Sequence, residues 1–172
     1  MNRLGPLGLV GDRWVIGDPE REGGLHLVLT AEGLEHRESG TPEPLELLPW
    51  SRVMQLDIRT AHWDWMATRG AAVAKWVLQS RADLGRNACS VHALVRHPYD
   101  DWYARYSHHE RAYTEAHIFL LRLLFEAVSQ AKLTHRLGDA EWLGAVVEQV
   151  APLPHRRSSV KRIREIVSAV PV

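Results

Sequence analysis

Residues 107–133 read SHHERAYTEAHIFLLRLLFEAVSQAKL, and this stretch decides the predicted fold. At about 100° per residue, its polar side chains fall on one narrow stripe and apolar side chains fill nearly all of the remaining surface. A helix on the outside of a domain needs an apolar arc of only about 100° or slightly more. We therefore predict a core helix with Ser107 as its N-cap, covered by a sheet and a second helix or by another subunit. The stripe consists of His108, Arg111, Glu115, Arg122, Glu126 and Ser129.

The chain before this helix has the alternating pattern of β-strands. Met54, Leu56 and Ile58 alternate with polar neighbours, which predicts a strand with one buried face. Gly33 is predicted to supply the positive φ of a tight hairpin. The connections are too short for helical crossovers, so we predict an antiparallel meander. Strands are predicted at 13–17, 25–30, 34–38, 45–48, 54–58, 72–79 and 89–96, with a hairpin loop at 81–87.

After the last predicted strand, only helices are expected. Asp100 is predicted to cap a short helical turn that reaches Tyr106. Beyond the long helix, Asp139 is predicted to cap a second helix that carries Trp142, Val146 and Val150 and stops at Pro152 and Pro154. Ser158 or Ser159 is predicted to cap a last helix, whose apolar side contains Val160, Ile163, Ile166, Val167 and Val170.

The predicted strands come before the predicted helices, which is the order of an α+β domain with helices packed on one face or end of an antiparallel sheet. We predict a sheet domain with the long helix over residues 1–136. Residues 137–172 are predicted to form a helical extension packed on the same core. At 172 residues, the chain is long enough to bury about two thirds of its unfolded surface.

The 21 basic and 21 acidic residues give a net charge of zero, so no overall field draws the chain to nucleic acid or membrane. The segment from Asp18 to Glu46 is acidic, and the segment from His155 to Arg164 is basic. Cys89 is the only cysteine, which excludes an intramolecular disulfide and a cysteine zinc site. Residues 1–17 lack the apolar core of a signal peptide, and we expect a cytoplasmic protein.

Two motifs resemble the opening of bacterial pleckstrin-homology-like (PH-like) domains. Residues 25–34 read LHLVLTAEGL, and residues 48–53 read LPWSRV and lead into the strand at 54–58. Domains of this family begin with a hairpin and then present an apolar-Pro-Trp-Ser step before the next strand. The resemblance covers residues 10–131.

The resemblance implies a barrel of seven strands sealed by the long helix. It also implies a binding or scaffolding module instead of a catalyst, because this fold hosts many ligands and does not assign one. The chain departs from the family in an aromatic insert at 60–70 and in the two helices after Leu137. We transfer no ligand residues from the family.

The histidines suggest a different kind of function. His92 lies in the predicted strand at 89–96, His97 follows it, and His109 and His117 share a face of the predicted long helix. No His-x-x-x-His pair is present, and no metal ligands are assigned. Alternation places Cys89 and His92 on opposite faces of a strand, and no Gly-x-Ser-x-Gly motif is present. We assign no catalytic residue and no cofactor. A small metal-dependent enzyme or hydrolase that uses histidines around 92–117 is the alternative.

Two groups of residues are candidates for partner contacts. Trp63 and Trp65, beside Met66, form either an exposed patch or a plug at one end of the sheet. The last helix carries a basic face, for which we favour docking of its apolar side onto the domain, then contact with the acidic segment of another subunit, and last an anionic membrane or nucleic acid. We predict a non-catalytic binding or assembly module that forms a homodimer or binds another protein. The basic candidates are Arg157, Lys161, Arg162 and Arg164.

Overall fold

The computed structural model describes residues 3–60, 89–109 and 113–170, and within them it shows an α+β protein. Two antiparallel sheets, of six and three strands, precede three α-helices. The predicted α+β class is confirmed, but a closed barrel is not shown for these residues. The strands are β1 (Arg3–Leu4), β2 (Leu7–Val10), β3 (Arg13–Ile16), β4 (Leu25–Leu29), β5 (Gly33–Glu38), β6 (Glu46–Pro49), β7 (Val53–Arg59), β8 (Ser90–Val95) and β9 (Asp100–Arg105). The helices are α1 (Glu115–Gln130), α2 (Ala140–Val150) and α3 (Ser158–Ala169).

The six-stranded sheet is a meander in which β1 to β6 follow one another in sequence order. The sequence prediction missed β1 and β2, whose turns use Gly5 and Gly11 at φ 61° and 62°. These strands have two and four residues, too few to show alternation. Gly33 does not have the positive φ predicted for it. A glycine is required here for another reason, because a Cβ at this position would lie 2.3 Å from the Leu48 carbonyl oxygen of β6.

The three-stranded sheet has the order β7-β8-β9, and two predictions about it are wrong. A bulge between Val53 and Gln55 shifts the register, so Val53 is buried and Met54 is exposed. The helical turn predicted after Asp100 is the strand β9. Pairing with β8 orders this segment, and the Asp100 carboxylate accepts the Asp101 backbone N–H at 2.8 Å.

Helix α1 begins at Glu115 and not just after Ser107. The Thr114 hydroxyl caps it by accepting the His117 backbone N–H at 3.2 Å. Ser107 joins the two sheets instead, because its N–H donates to the Leu25 carbonyl at 2.6 Å and its hydroxyl accepts the Leu25 N–H at 2.9 Å. The prediction that this helix is covered on more than one side is confirmed by its buried residues, which are Ile118, Leu120, Leu121, Leu124, Phe125, Ala127 and Val128.

Helix α1 lies against the edge of β7 that does not pair with β8. The Leu56 backbone N–H donates to the Ser129 hydroxyl at 3.2 Å, and this hydroxyl donates to the Phe125 carbonyl at 2.7 Å. A bare strand edge is a template for unwanted pairing, so the helix protects β7 as well as covering the core.

Helices α2 and α3 contribute to the hydrophobic cluster that contains residues of both sheets, and Trp14 of β3 and Val146 of α2 both belong to it. Asp139 caps α2 as predicted, with its carboxylate accepting the Trp142 N–H at 3.0 Å. No serine caps α3, because the Ser159 hydroxyl donates to the Pro154 carbonyl at 2.6 Å. The division of the chain at residue 136 stays a prediction. The strand predicted at 72–79, the loop at 81–87 and nearly all of the insert at 60–70 lie outside the described residues.

Candidate functional site

The strongest candidate site is the side of the three-stranded sheet that points away from the core, called the outer face below. Its side chains form three rows across β7, β8 and β9, and the alternate positions, such as Leu56, Ala93 and Ala104, are buried. The first row is Gln55, Leu94 and Asp101; the second is Asp57, His92 and Tyr103; the third is Arg59, Ser90 and Arg105.

Tyr103, on β9 in the second row of the outer face, is held from two sides. The rings of His92 and Tyr103 meet edge to face, with centroids 4.9 Å apart. The Arg105 Nε donates to the Tyr103 hydroxyl at 2.9 Å, and the guanidinium carbon lies 6.0 Å from the ring centroid. Although the residue is 46% exposed, these contacts restrict its side-chain rotation.

Helix α1 supplies a cation to the β7 side of this face. The Arg122 Nε donates to the Asp57 carboxylate at 3.0 Å, and the same carboxylate oxygen accepts the Ile58 backbone N–H at 2.9 Å. The charge of Asp57 is therefore compensated within the chain.

Ser90 and His92 form the one contact on this face that resembles a nucleophile and its base. The Ser90 hydroxyl lies 3.0 Å from His92 Nε2, within the range that proton transfer requires. Burial, and after it the Arg59 guanidinium, lowers the pKa of His92 from its usual value of 6.5, so the ring is neutral at pH 7. However, Ser90 is only 5% exposed, and the Asp57 carboxylate binds Arg122. The pair therefore lacks an accessible nucleophile.

The other predicted histidines lie in separate surroundings. His97 is in the turn after β8, near Tyr99, and His117 is in the first turn of α1. His109 follows β9, with Nδ1 3.8 Å from an Asp18 carboxylate oxygen. Across residues 3–60, 89–109 and 113–170, no three His, Cys, Asp or Glu side chains are grouped so that they could hold a metal ion.

Lys161, Arg162 and Arg164 lie on the exposed side of α3, whose apolar side is buried at Ile163, Ile166 and Val167. Arg157, also exposed, is the residue before the helix. Two carboxylates form ion pairs with the three basic side chains on the helix: Glu165 of the same helix, and Glu126 of α1. The ion-pair distances are 4.0 Å for Lys161–Glu165, 3.2 Å for Arg162–Glu165 and 3.9 Å for Arg164–Glu126. No ion pair is found for Arg157 in the part of the chain that the structure describes. Trp63 and Trp65 lie outside the described residues.

Sequence reasoning missed the residues that make the outer face distinctive. Seven large apolar side chains are exposed among the described residues, and Met54, Leu94, Tyr99 and Tyr103 are on this face or beside it. The alternation of Asp101, Tyr103 and Arg105 with Trp102 and Ala104 is the signal in the sequence that indicates this strand, whereas Asp100 as an N-cap predicts a helical turn.

The fold and the outer face define an α+β protein with an exposed aromatic and charged sheet surface. Comparison with known proteins finds no matching protein-family model, no matching curated protein and no matching solved structure. Among the described helices, none combines the length and apolar character needed to span a bilayer.

Proposed function

We propose that this protein is a non-catalytic assembly module that self-associates through the outer face of its three-stranded sheet. One observation carries the proposal: Met54, Leu94 and Tyr103 are 41%, 40% and 46% exposed on or beside one face that also carries Arg59 and Arg105. Tyr, Met and Arg are enriched in protein interfaces, and Tyr and Arg are enriched among the residues that dominate binding energy.

The contacts on the face favour binding over catalysis. Tyr103 is held in place by His92 and Arg105 before any partner arrives, so less side-chain entropy is lost on binding. Asp57 is already paired with Arg122, so a partner does not have to compensate a buried carboxylate there.

The PH-like family remains part of this proposal. A sequence-ordered meander followed by a helix packed on a second sheet supports it, as does the step at Pro49 and Trp50 between β6 and β7.

We also propose the cytoplasm as the location of the protein, because the single cysteine fits a reducing compartment.

Sedimentation equilibrium from about 10 to about 500 µM tests the proposal, because a small interface associates weakly. We expect the full chain to self-associate and Leu94→Arg and Tyr103→Ala to weaken this at least about tenfold. Leu45→Arg is the matched control, since Leu45 is 54% exposed before β6 of the other sheet. A strict monomer over the whole range, or variants that associate like the original protein, would refute the proposal.

The second candidate is a hydrolase built on Ser90 and His92, which the 3.0 Å contact between them favours. If the pair is a nucleophile and base, p-nitrophenyl acetate is hydrolysed above the rate of the free buffer and Ser90→Ala abolishes this activity. Elemental analysis tests the metal-dependent version, for which stoichiometric zinc, iron or nickel is required. Because Ser90 is buried, we expect Ser90→Ala and the original protein to hydrolyse p-nitrophenyl acetate at equal rates.

A further inference from the structure

Two arginines lie opposite each other at the end of the β7–β8 ladder. The pairing of Val53 with Val95 continues to the next residues, because the Arg96 backbone N–H donates to the Arg52 carbonyl at 3.0 Å. The Arg52 Nε donates to the Arg96 carbonyl at 3.3 Å, and the Arg96 Nε donates to the Ser51 carbonyl at 2.9 Å. Each guanidinium is therefore held in place by the backbone of the opposite segment.

These two positive charges have no carboxylate partner. Across residues 3–60, 89–109 and 113–170, neither Arg52 nor Arg96 forms an ion pair, whereas Arg122 is paired with Asp57. Directly opposite residues of a ladder have Cβ atoms about 4.5 to 5.5 Å apart, and like charges in such a pair are destabilising. An anion bound between the two guanidinium groups removes this repulsion.

The hydrogen-bonding capacity of the pair is also largely unused. An arginine side chain has five N–H donors, and here the backbone takes only the Nε–H of each. In the part of the chain that the structure describes, no hydrogen bond from an Nη atom of Arg52 or Arg96 is found. Arg52 is half-buried and Arg96 is exposed, so a ligand in solution can reach these nitrogens.

We infer that Arg52 and Arg96 together bind the phosphate group of a small phosphate monoester. Such a group carries about −1.5 to −2 charges at pH 7 and three strong acceptor oxygens, which matches two guanidinium forks better than a carboxylate with one charge and two oxygens. Because the Nε bonds already fix both side chains, little rotational freedom is lost on binding. This site is independent of the proposed function, since self-association is measured without any phosphate ester.

The surroundings of the arginine pair favour an ester over the free phosphate ion. Leu94 lies two residues before Arg96 on the same face of β8, and it is 40% exposed. Met54 lies two residues after Arg52 and is 41% exposed. An apolar or aromatic body attached to the phosphate can cover these side chains, and this burial adds to the affinity.

An amide NMR titration of the full chain with phenyl phosphate tests the site. The signals of Arg52, Arg96 and their chain neighbours should shift and saturate, with a dissociation constant on the order of 1 mM because the site is exposed to solvent. Inorganic phosphate should bind more weakly, because it lacks the apolar body. Benzenesulfonate has three terminal oxygens but a single charge, so it should bind at least about fivefold more weakly than phenyl phosphate.

Substitutions of the two arginines test their roles. Arg52→Gln and Arg96→Gln should each weaken binding at least about tenfold, because each removes one charged fork. Arg96→Lys keeps the charge but not the fork, and it should weaken binding about threefold. Arg157→Gln is the matched control, because it removes the same charge from an exposed arginine outside this site and should bind like the original protein. Far-ultraviolet circular dichroism confirms that each variant is folded.

The possible results separate a specific site from general attraction to surface charge. Saturating shifts at this end of the ladder that are lost in Arg52→Gln and Arg96→Gln and kept in Arg157→Gln support the inference. Shifts that never saturate, or an equal loss in Arg157→Gln, overturn it. Equal affinity for benzenesulfonate and phenyl phosphate contradicts the assignment to a phosphate monoester.

Discussion

Replacing Gly138 with alanine should destabilise the protein strongly, although the change adds one methyl group. Gly138 ends the turn between α1 and α2, and a Cβ there would lie 2.0 Å from the Thr30 carbonyl oxygen. Real Cβ atoms essentially never approach closer than 3.0 Å, so two backbone segments must separate by about 1 Å. The same oxygen accepts the Trp50 indole N–H at 2.7 Å, and the Cβ would also lie 2.9 Å from that nitrogen.

The magnitude follows from these two contacts. Overpacking costs about 1 to 3 kcal/mol, and weakening the bond from Trp50 to Thr30 costs about 1 kcal/mol more. We therefore expect Gly138→Ala to lower the free energy of unfolding by about 2 to 4 kcal/mol, measured by urea denaturation with circular dichroism at 222 nm. For a chain of this size, each kcal/mol corresponds to about 2 to 4 °C in Tm.

Gly144→Ala is the matched control, because it is the same substitution inside helix α2. The nearest atom to its Cβ is Trp14 Cζ2 at 3.9 Å, an ordinary van der Waals distance. Alanine is the better helix former, so this variant should be more stable by about 0.5 to 1 kcal/mol. A Gly138→Ala variant as stable as the original protein would refute the close approach of this turn to Thr30 and Trp50.

Three further predictions concern stability. Burial and the Arg37 charge lower the pKa of His26 from 6.5. The unfolded chain therefore binds more protons than the folded one near and below that pH, and the free energy of unfolding falls as the pH falls from 7 to 5. His26→Gln should flatten this decline in urea unfolding at several pH values, and an unchanged slope would contradict the cause. Tyr106→Phe should lower the free energy of unfolding by about 1 to 2 kcal/mol, because the hydroxyl donates to the Arg59 carbonyl at 3.1 Å and lies 2.6 Å from the Thr60 hydroxyl; an equally stable variant would show that water replaces the hydroxyl. Ile163→Ala, fully buried in α3, should cost about 2 to 5 kcal/mol and keep one transition by circular dichroism and tryptophan fluorescence; a separate early transition would mean that the helical tail unfolds independently.

Local patterns were sufficient to predict much of the fold. The leucine spacing in β4, the cap at Asp139 and the apolar spacing of Ile163 and Ile166 depend on residues a few positions apart. Such features are determined by neighbouring side chains and backbone geometry, so they can be read without knowing what packs against them. The class α+β follows from their order along the chain.

The errors occur where a distant partner decides the local structure. Ser107 looks like a helix cap, but its N–H and hydroxyl bind Leu25, 82 residues earlier. Asp100 begins a strand because β8 lies beside it, and the bulge at Met54 appears only when β7 is paired with β8. In each case, a hydrogen bond to a remote strand outweighs a weak local preference.

The sequence by itself determined the fold class, the meander, the capped helix α2 and the amphipathic character of α3, because these depend on local periodicity and capping. Only the tertiary structure decided that Gln55, Leu94 and Asp101, with the two rows beside them, share one outer face, because that grouping requires the register of three strands. The same is true of the charges on α3, whose partner Glu126 comes from another helix. A surface is made by residues that are far apart in the chain, and only packing brings them together.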